Sequence, residues 1–174
     1  MSRSADEVPV VVVGVRRAGM VAVVLAGLTM GLAFAHTLEL PQKLAYDAAT
    51  WTRLQHSLYR YFAVIGGPLE VATVIAAGVF AVRARGLRGG RLAMVGAGCF
   101  VLALGWWFAV VNTANAEVGG WVVDAVPSDW RRWRAQWEFG HAGHFVVTFA
   151  GFLALLLATV RVGAPDHRRV PGRS

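Results

Sequence analysis

Four apolar stretches, each about long enough to cross a lipid bilayer as a helix, leave this chain few ways to fold. They run from Ala18 to Ala35, Tyr61 to Val82, Leu92 to Val111 and Phe139 to Val160. A hydrocarbon core of about 30 Å takes about 20 helical residues to cross. Backbone groups in lipid find no water, and a helix satisfies them within one segment. The first and third stretches hold no charge. The second is interrupted only by Glu70, and the fourth carries His141 and His144 near its start. The predicted fold class is therefore all-α: a transmembrane four-helix bundle, with an extra amphipathic outer helix between the first two spans.

That extra helix is read from residues 36–60. Pro41 suits a first helical turn. After it, Leu44, Ala45, Ala48, Trp51, Leu54, Gln55 and Leu58 recur at helical spacing. Gly66-Gly67-Pro68 predicts a kink in the second span. Gly119-Gly120 marks a break, and Pro127-Ser128-Asp129 marks the start of a helix running to Val160. Its first turns would stand above the bilayer, with Trp130, Trp133 and Trp137 at the interface.

Composition agrees. The chain is 56% hydrophobic and 16% charged, against about 45–50% and 25% in soluble domains. The net charge of +7 lies between the apolar runs and not in one patch, which points to membrane orientation and away from nucleic acid. A single cysteine, Cys99, excludes an internal disulfide, a CxxC motif and a cysteine-based zinc site. Arg3, Arg16 and Arg17, the run Arg83 to Arg91, and Arg161, Arg168, Arg169 and Arg173 outweigh the basic residues of the other two loops. The positive-inside rule then predicts a multi-pass plasma-membrane protein with both termini cytoplasmic. Residues 1–17 form a cytoplasmic segment, 18–160 the membrane domain and 161–174 a disordered tail. Arg16-Arg17, an apolar run and Ala33-Phe34-Ala35 also fit a cleaved signal peptide, which would leave three spans in the same orientation.

Ionisable groups in a bilayer are costly and usually face the bundle interior. His36 and Glu39 share one face at the end of span one, with Lys43 beyond. Glu70 lies near mid-membrane, where a carboxyl must be protonated or paired; His144, His36 and Lys43 are candidate partners. Asn112 and Asn115 end span three. Arg134, Glu138, His141 and His144 follow one another by four, three and three residues, on one side of span four. Collected at one end of a bundle, these groups would make a polar pocket in an apolar wall. Each also has a plain structural reading. Arg134 and Glu138 suit a helix-surface ion pair, His36 and His141 interfacial caps, Asn112 and Asn115 a helix end, and Trp137 an interfacial anchor.

The run Asn112-Thr-Ala-Asn115-Ala, then Trp121, Ser128-Asp-Trp130 and Arg134-Ala-Gln-Trp137-Glu138-Phe-Gly-His141 resembles the signature of the DUF1772 family of four-span membrane proteins, which includes the fungal anthrone oxygenases. His36-Thr-Leu-Glu39-Leu-Pro41-Gln-Lys43, with Gln55 and Leu58-Tyr59, looks like the first half of a bacterial subset. The resemblance spans roughly Ala18 to Val160. It departs where family members often carry arginine three residues after the histidine; here that residue is His144. The resemblance implies a site without metal or flavin. It adds Tyr59 to the ligand-binding candidates.

Three functions follow as expectations. One is a non-catalytic membrane protein whose polar pocket binds a small apolar or aromatic molecule. The second is a cofactor-independent oxygenase or oxidoreductase for a phenolic or quinone-like substrate. There His141 or His36 would act as base, Arg134 and Asn112 would steady the anion, and Glu138 would complete the catalytic set. Asn115, Glu39, Glu70, Tyr59, Trp137 and His144 would bind substrate. The third is a metal or haem site on His36, His141 and His144 with Glu39 or Glu138. A proton or transport pathway through Glu70 is a further alternative. The lipid bilayer is the one partner expected throughout; oligomeric state is left open.

Overall fold

The computed structural model describes residues 10–162. They form α1 (Val10–Ala45), α2 (Ala48–Ser57), α3 (Arg60–Arg83), α4 (Gly90–Trp106), a π-helical segment (Trp107–Val111), α5 (Asn112–Val118) and α6 (Trp130–Val162). No strand occurs among these residues. α4, the π segment and α5 run on as one rod, Gly90–Val118. Four helices are thus long and apolar enough to cross a bilayer, and the chain is a multi-pass membrane protein with an all-α bundle fold.

Large apolar side chains stand exposed on all four long helices, among them Val24, Val64, Val101 and Val146. In water such surfaces would drive association; in lipid they are the solvated face. Inside, small residues set the helix spacing. Ala22, Ala26, Ala77, Ala81, Ala84, Ala93 and Ala158 pack around Phe80, Phe100 and Leu155. α4 and α6 approach closely at Gly96 and Gly151: a Cβ on Gly151 would lie 2.9 Å from Cys99 Cβ and 2.9 Å from the Phe100 ring. Close approach at small residues is how membrane helices gain packing energy that lipid cannot supply. The α3–α4 turn closes at Gly89, whose φ of +89° suits glycine.

Several boundaries differ from the sequence reading. Pro41 does not start a new helix; α1 runs through it to Ala45. The outer helix begins at Ala48 instead, where the Asp47 carboxylate accepts from the Thr50 amide at 2.7 Å. That bond holds the Asp47 carboxyl below its ordinary value and supplies a side-chain cap that proline lacks. α3 agrees with the expected second span: it runs as one helix from Arg60 to Arg83, with the Gly66-Gly67-Pro68 site of the expected kink inside it. Residues 10–17 belong to α1, and Arg161 and Val162 to α6. The expected tail beyond 162, and the segment before residue 10, lie outside the described residues.

Candidate functional site

The C-terminal end of α1, the start of α3, the end of the π segment and α5, and the start of α6 meet at one end of the bundle, with α2 beside them. An aromatic cluster of Trp51, Tyr59, Trp121 and Trp137 fills this end. The opposite end carries the Arg83–Arg91 turn. Below the aromatic cluster lies a cavity of about 80 Å³.

Seven of the eleven residues singled out in sequence line this cavity: His36, Tyr59, Glu70, Asn115, Trp137, His141 and His144. Its upper part is a box of rings. His36 and His141 stack with centroids 4.3 Å apart and planes tilted by 33°. Trp137 stands edge-on to His141 at 4.3 Å, and Tyr59 and Phe62 close the far side of His36 at 4.9 and 5.0 Å. Trp137 is held by its indole N–H, which donates to Asn115 Oδ1 at 2.7 Å. His36 Nδ1 is buried with no hydrogen-bond partner, and His141 makes ring contacts but no side-chain hydrogen bond among the described residues. At the floor, Glu70 has found its partner: its Oε1 lies 2.8 Å from His144 Nε2.

A second cluster sits behind the ring box, with Lys43 at its centre. Lys43 is 2% exposed. Its Nζ lies 3.0 Å from Glu138 Oε2 and 3.4 Å from Glu39 Oε2. It also lies 4.5 Å from the Trp137 ring centroid and 5.0 Å from that of Tyr59. Glu138, 1% exposed, accepts the Trp51 indole N–H at 2.9 Å on its other oxygen. Tyr59 donates its hydroxyl to Glu39. Burial, then that hydrogen bond and the Glu39 charge, push the Tyr59 phenol up from its ordinary value. Trp137 and Tyr59 therefore separate a buried cation from the histidine pair.

Four of the eleven lie off the cavity. Glu138 and Glu39 belong to the lysine cluster. Arg134 does not pair with Glu138. Its guanidinium donates to the carbonyls of Tyr46 at 3.0 Å and Lys43 at 3.5 Å, and stacks on Trp130 at 4.6 Å. It thus ties the exposed carbonyls at the end of α1 to α6, a common use of a cation. Asn112 is half-buried and makes no side-chain hydrogen bond among the described residues. The donors expected to steady an anion are not at the cavity. Among the described residues, no three His, Cys, Asp or Glu side chains converge to hold a metal ion.

Sequence reading passed over Lys43 as a site residue, though its position four residues after Glu39 was visible. It also missed Phe62, Thr29 and the Trp51–Glu138 bond. The π segment was not foreseen either; such bulges often mark functional sites. Here Gln136 donates to the Val110 carbonyl at 3.0 Å and to Thr113 Oγ1 at 2.7 Å. No family model, curated protein or solved structure matches the chain.

Proposed function

We propose that the chain is a plasma-membrane protein of the DUF1772 type whose cavity binds a small, flat, apolar or aromatic molecule drawn from the bilayer. One observation carries this: the cavity is walled by stacked and edge-on rings around His36, a 6% exposed histidine whose Nδ1 has no protein partner. Rings favour flat apolar ligands, and an unpaired polar atom beside them invites a ligand group. The quoted family signature supports the type. Its Asn115 and its Arg134-x-x-Trp137-Glu138-x-x-His141 meet in space through the Trp137–Asn115 bond.

Binding is favoured over oxygenation because the latter asks more. Inserting oxygen at a ring methylene consumes one O₂ and yields a carbonyl and one water. It needs a base, which His141 or His36 could be, and donors at the developing anion. Arg134 and Asn112, the donors assigned to that task, lie elsewhere. On this reading the cavity binds a ligand and carries bases in its wall.

Gly67 offers the test. It lines the cavity, and a Cβ there would meet nothing within 4 Å. Gly67→Leu should therefore fill the cavity without disturbing the backbone. Purified protein in lipid nanodiscs should show saturable quenching of tryptophan fluorescence by 1-tetralone, weakened about tenfold or more in Gly67→Leu, the scale of one well-placed ligand contact. Unchanged binding in that variant would place the ligand elsewhere.

A further inference from the structure

The end of the bundle away from the cavity carries charge that the protein itself does not use. Gly19 of α1 marks its depth: a Cβ there would lie 2.6 Å from Thr159 Oγ1 on α6 and 2.9 Å from the Phe80 ring on α3. Arg16 precedes Gly19 by three residues, Arg83 follows Phe80 by three and Arg161 follows Thr159 by two. α1 runs antiparallel to α3 and α6, since its far end meets Tyr59 and Glu138 at their starts. All three arginines therefore lie on one side of that level, within about one helical turn of it. Arg91 joins them from the start of α4, because the α3–α4 turn rests on the end of α6. A Cβ on Gly89 would lie 2.7 Å from the Ala158 carbonyl oxygen and 3.1 Å from Arg161 Cβ.

These four arginines are exposed, and none makes a side-chain hydrogen bond or ion pair among the described residues. No Asp or Glu stands in residues 10–35, 71–116 or 139–162, so no carboxylate of the described chain balances them. The arginines of the other end are occupied. Arg134 donates to two carbonyls, and Arg131 and Arg132 lie over the rings of Trp130 and Trp133 at 5.1 and 5.0 Å.

Each of the four also has an exposed apolar residue four positions deeper on its own helix: Met20 for Arg16, Val79 for Arg83, Val95 for Arg91 and Leu157 for Arg161. Residues four apart share a helix face. The guanidinium-bearing residues thus border the lipid-facing surface, at the depth where headgroup phosphates begin. A soluble partner would approach the tip of the bundle, whereas these positions lie on its flanks.

We propose that this arginine belt binds the headgroups of acidic phospholipids in the adjoining leaflet. A guanidinium matches a phosphate with two N–H donors. A zwitterionic lipid offers the same phosphate beside an ammonium that the arginines repel, so the belt selects headgroups of net negative charge.

The whole chain in phosphatidylcholine vesicles tests this with spin-labelled phosphatidylglycerol and phosphatidylcholine, whose motionally restricted fraction reports contact with the protein. At about 20 mM salt phosphatidylglycerol should be preferred about fivefold, the scale of one arginine–headgroup contact. At about 1 M salt, where screening acts beyond about 3 Å, the preference should fall to within about twofold. Arg16→Gln, Arg83→Gln, Arg91→Gln and Arg161→Gln combined should remove it at low salt. If that variant does not reconstitute, each single change should lower it. Arg131→Gln with Arg132→Gln should leave it in place. A preference that survives the four changes, or one lost equally on changing Arg131 and Arg132, overturns the proposal. So does a wild type with no preference, and its capture of soluble oligothymidylate would then assign the arginines to a polyanion in water.

Discussion

A lysine ammonium buried among tryptophan and tyrosine rings is stable only if its charge is met. Lys43 is met by Glu138 at 3.0 Å and by the more exposed Glu39 at 3.4 Å, with ring faces supplying a weaker attraction. The arrangement is reciprocal, because Glu138 is buried too and depends on Lys43 and the Trp51 indole. Removing one member of a buried pair leaves the other uncompensated and costs about 3–5 kcal/mol, whereas replacing both by apolar side chains is often close to neutral. Lys43→Met should therefore lower the thermal midpoint of the purified protein sharply. Lys43→Met with Glu138→Leu should recover most of the loss. A single variant as stable as wild type would mean that Lys43 is solvated in the bilayer-embedded protein. At this scale sequence reading was uneven. Lys43 was visible four residues after Glu39, and His144 was named for Glu70. That Lys43 and Trp51 both reach Glu138 depends on how α1, α2 and α6 dock, which no residue spacing encodes.

Between elements, packing is governed by where side chains are missing. Gly151 on α6 faces Cys99 and Phe100 of α4, with no room for a Cβ, while Gly98 on α4 faces open space. Both are glycines in apolar helices and look alike in sequence. Gly151→Val should cost about 1–3 kcal/mol through overpacking, and Gly98→Val should be near neutral. Thermal unfolding in one detergent compares them directly, and equal losses would show that helix propensity, not the α4–α6 contact, sets the cost. The long elements themselves were legible, because about 20 apolar residues in lipid have one solution. Their ends were less so. Proline reads as a start signal, yet α1 carries Pro41 past its expected boundary. The true restart is the Asp47 cap, a signal of equal standing that the apolar spacing around it obscured.

Across the whole molecule, the two ends of the bundle are chemically unlike. One has the Lys43 cluster, the ring box and the cavity mouth. The other has the Arg83–Arg91 turn, with Arg83, Arg85 and Arg88 exposed. Four spans put both ends of the described chain on the arginine side, so one measurement orients everything. Short loops rich in arginine resist translocation, which predicts that the arginine end is cytoplasmic and that the cavity mouth lies near the outer leaflet. Ser57, exposed at the last turn of α2, and Arg85, exposed in the α3–α4 turn, report the two faces. Cys99 is the chain's one thiol, so a Cys99→Ser background is silent. In intact cells, a membrane-impermeant maleimide should label Ser57→Cys. It should label Arg85→Cys only after lysis. The reverse pattern would put the cavity mouth near the inner leaflet. Any ligand would then be drawn from the cytoplasmic side.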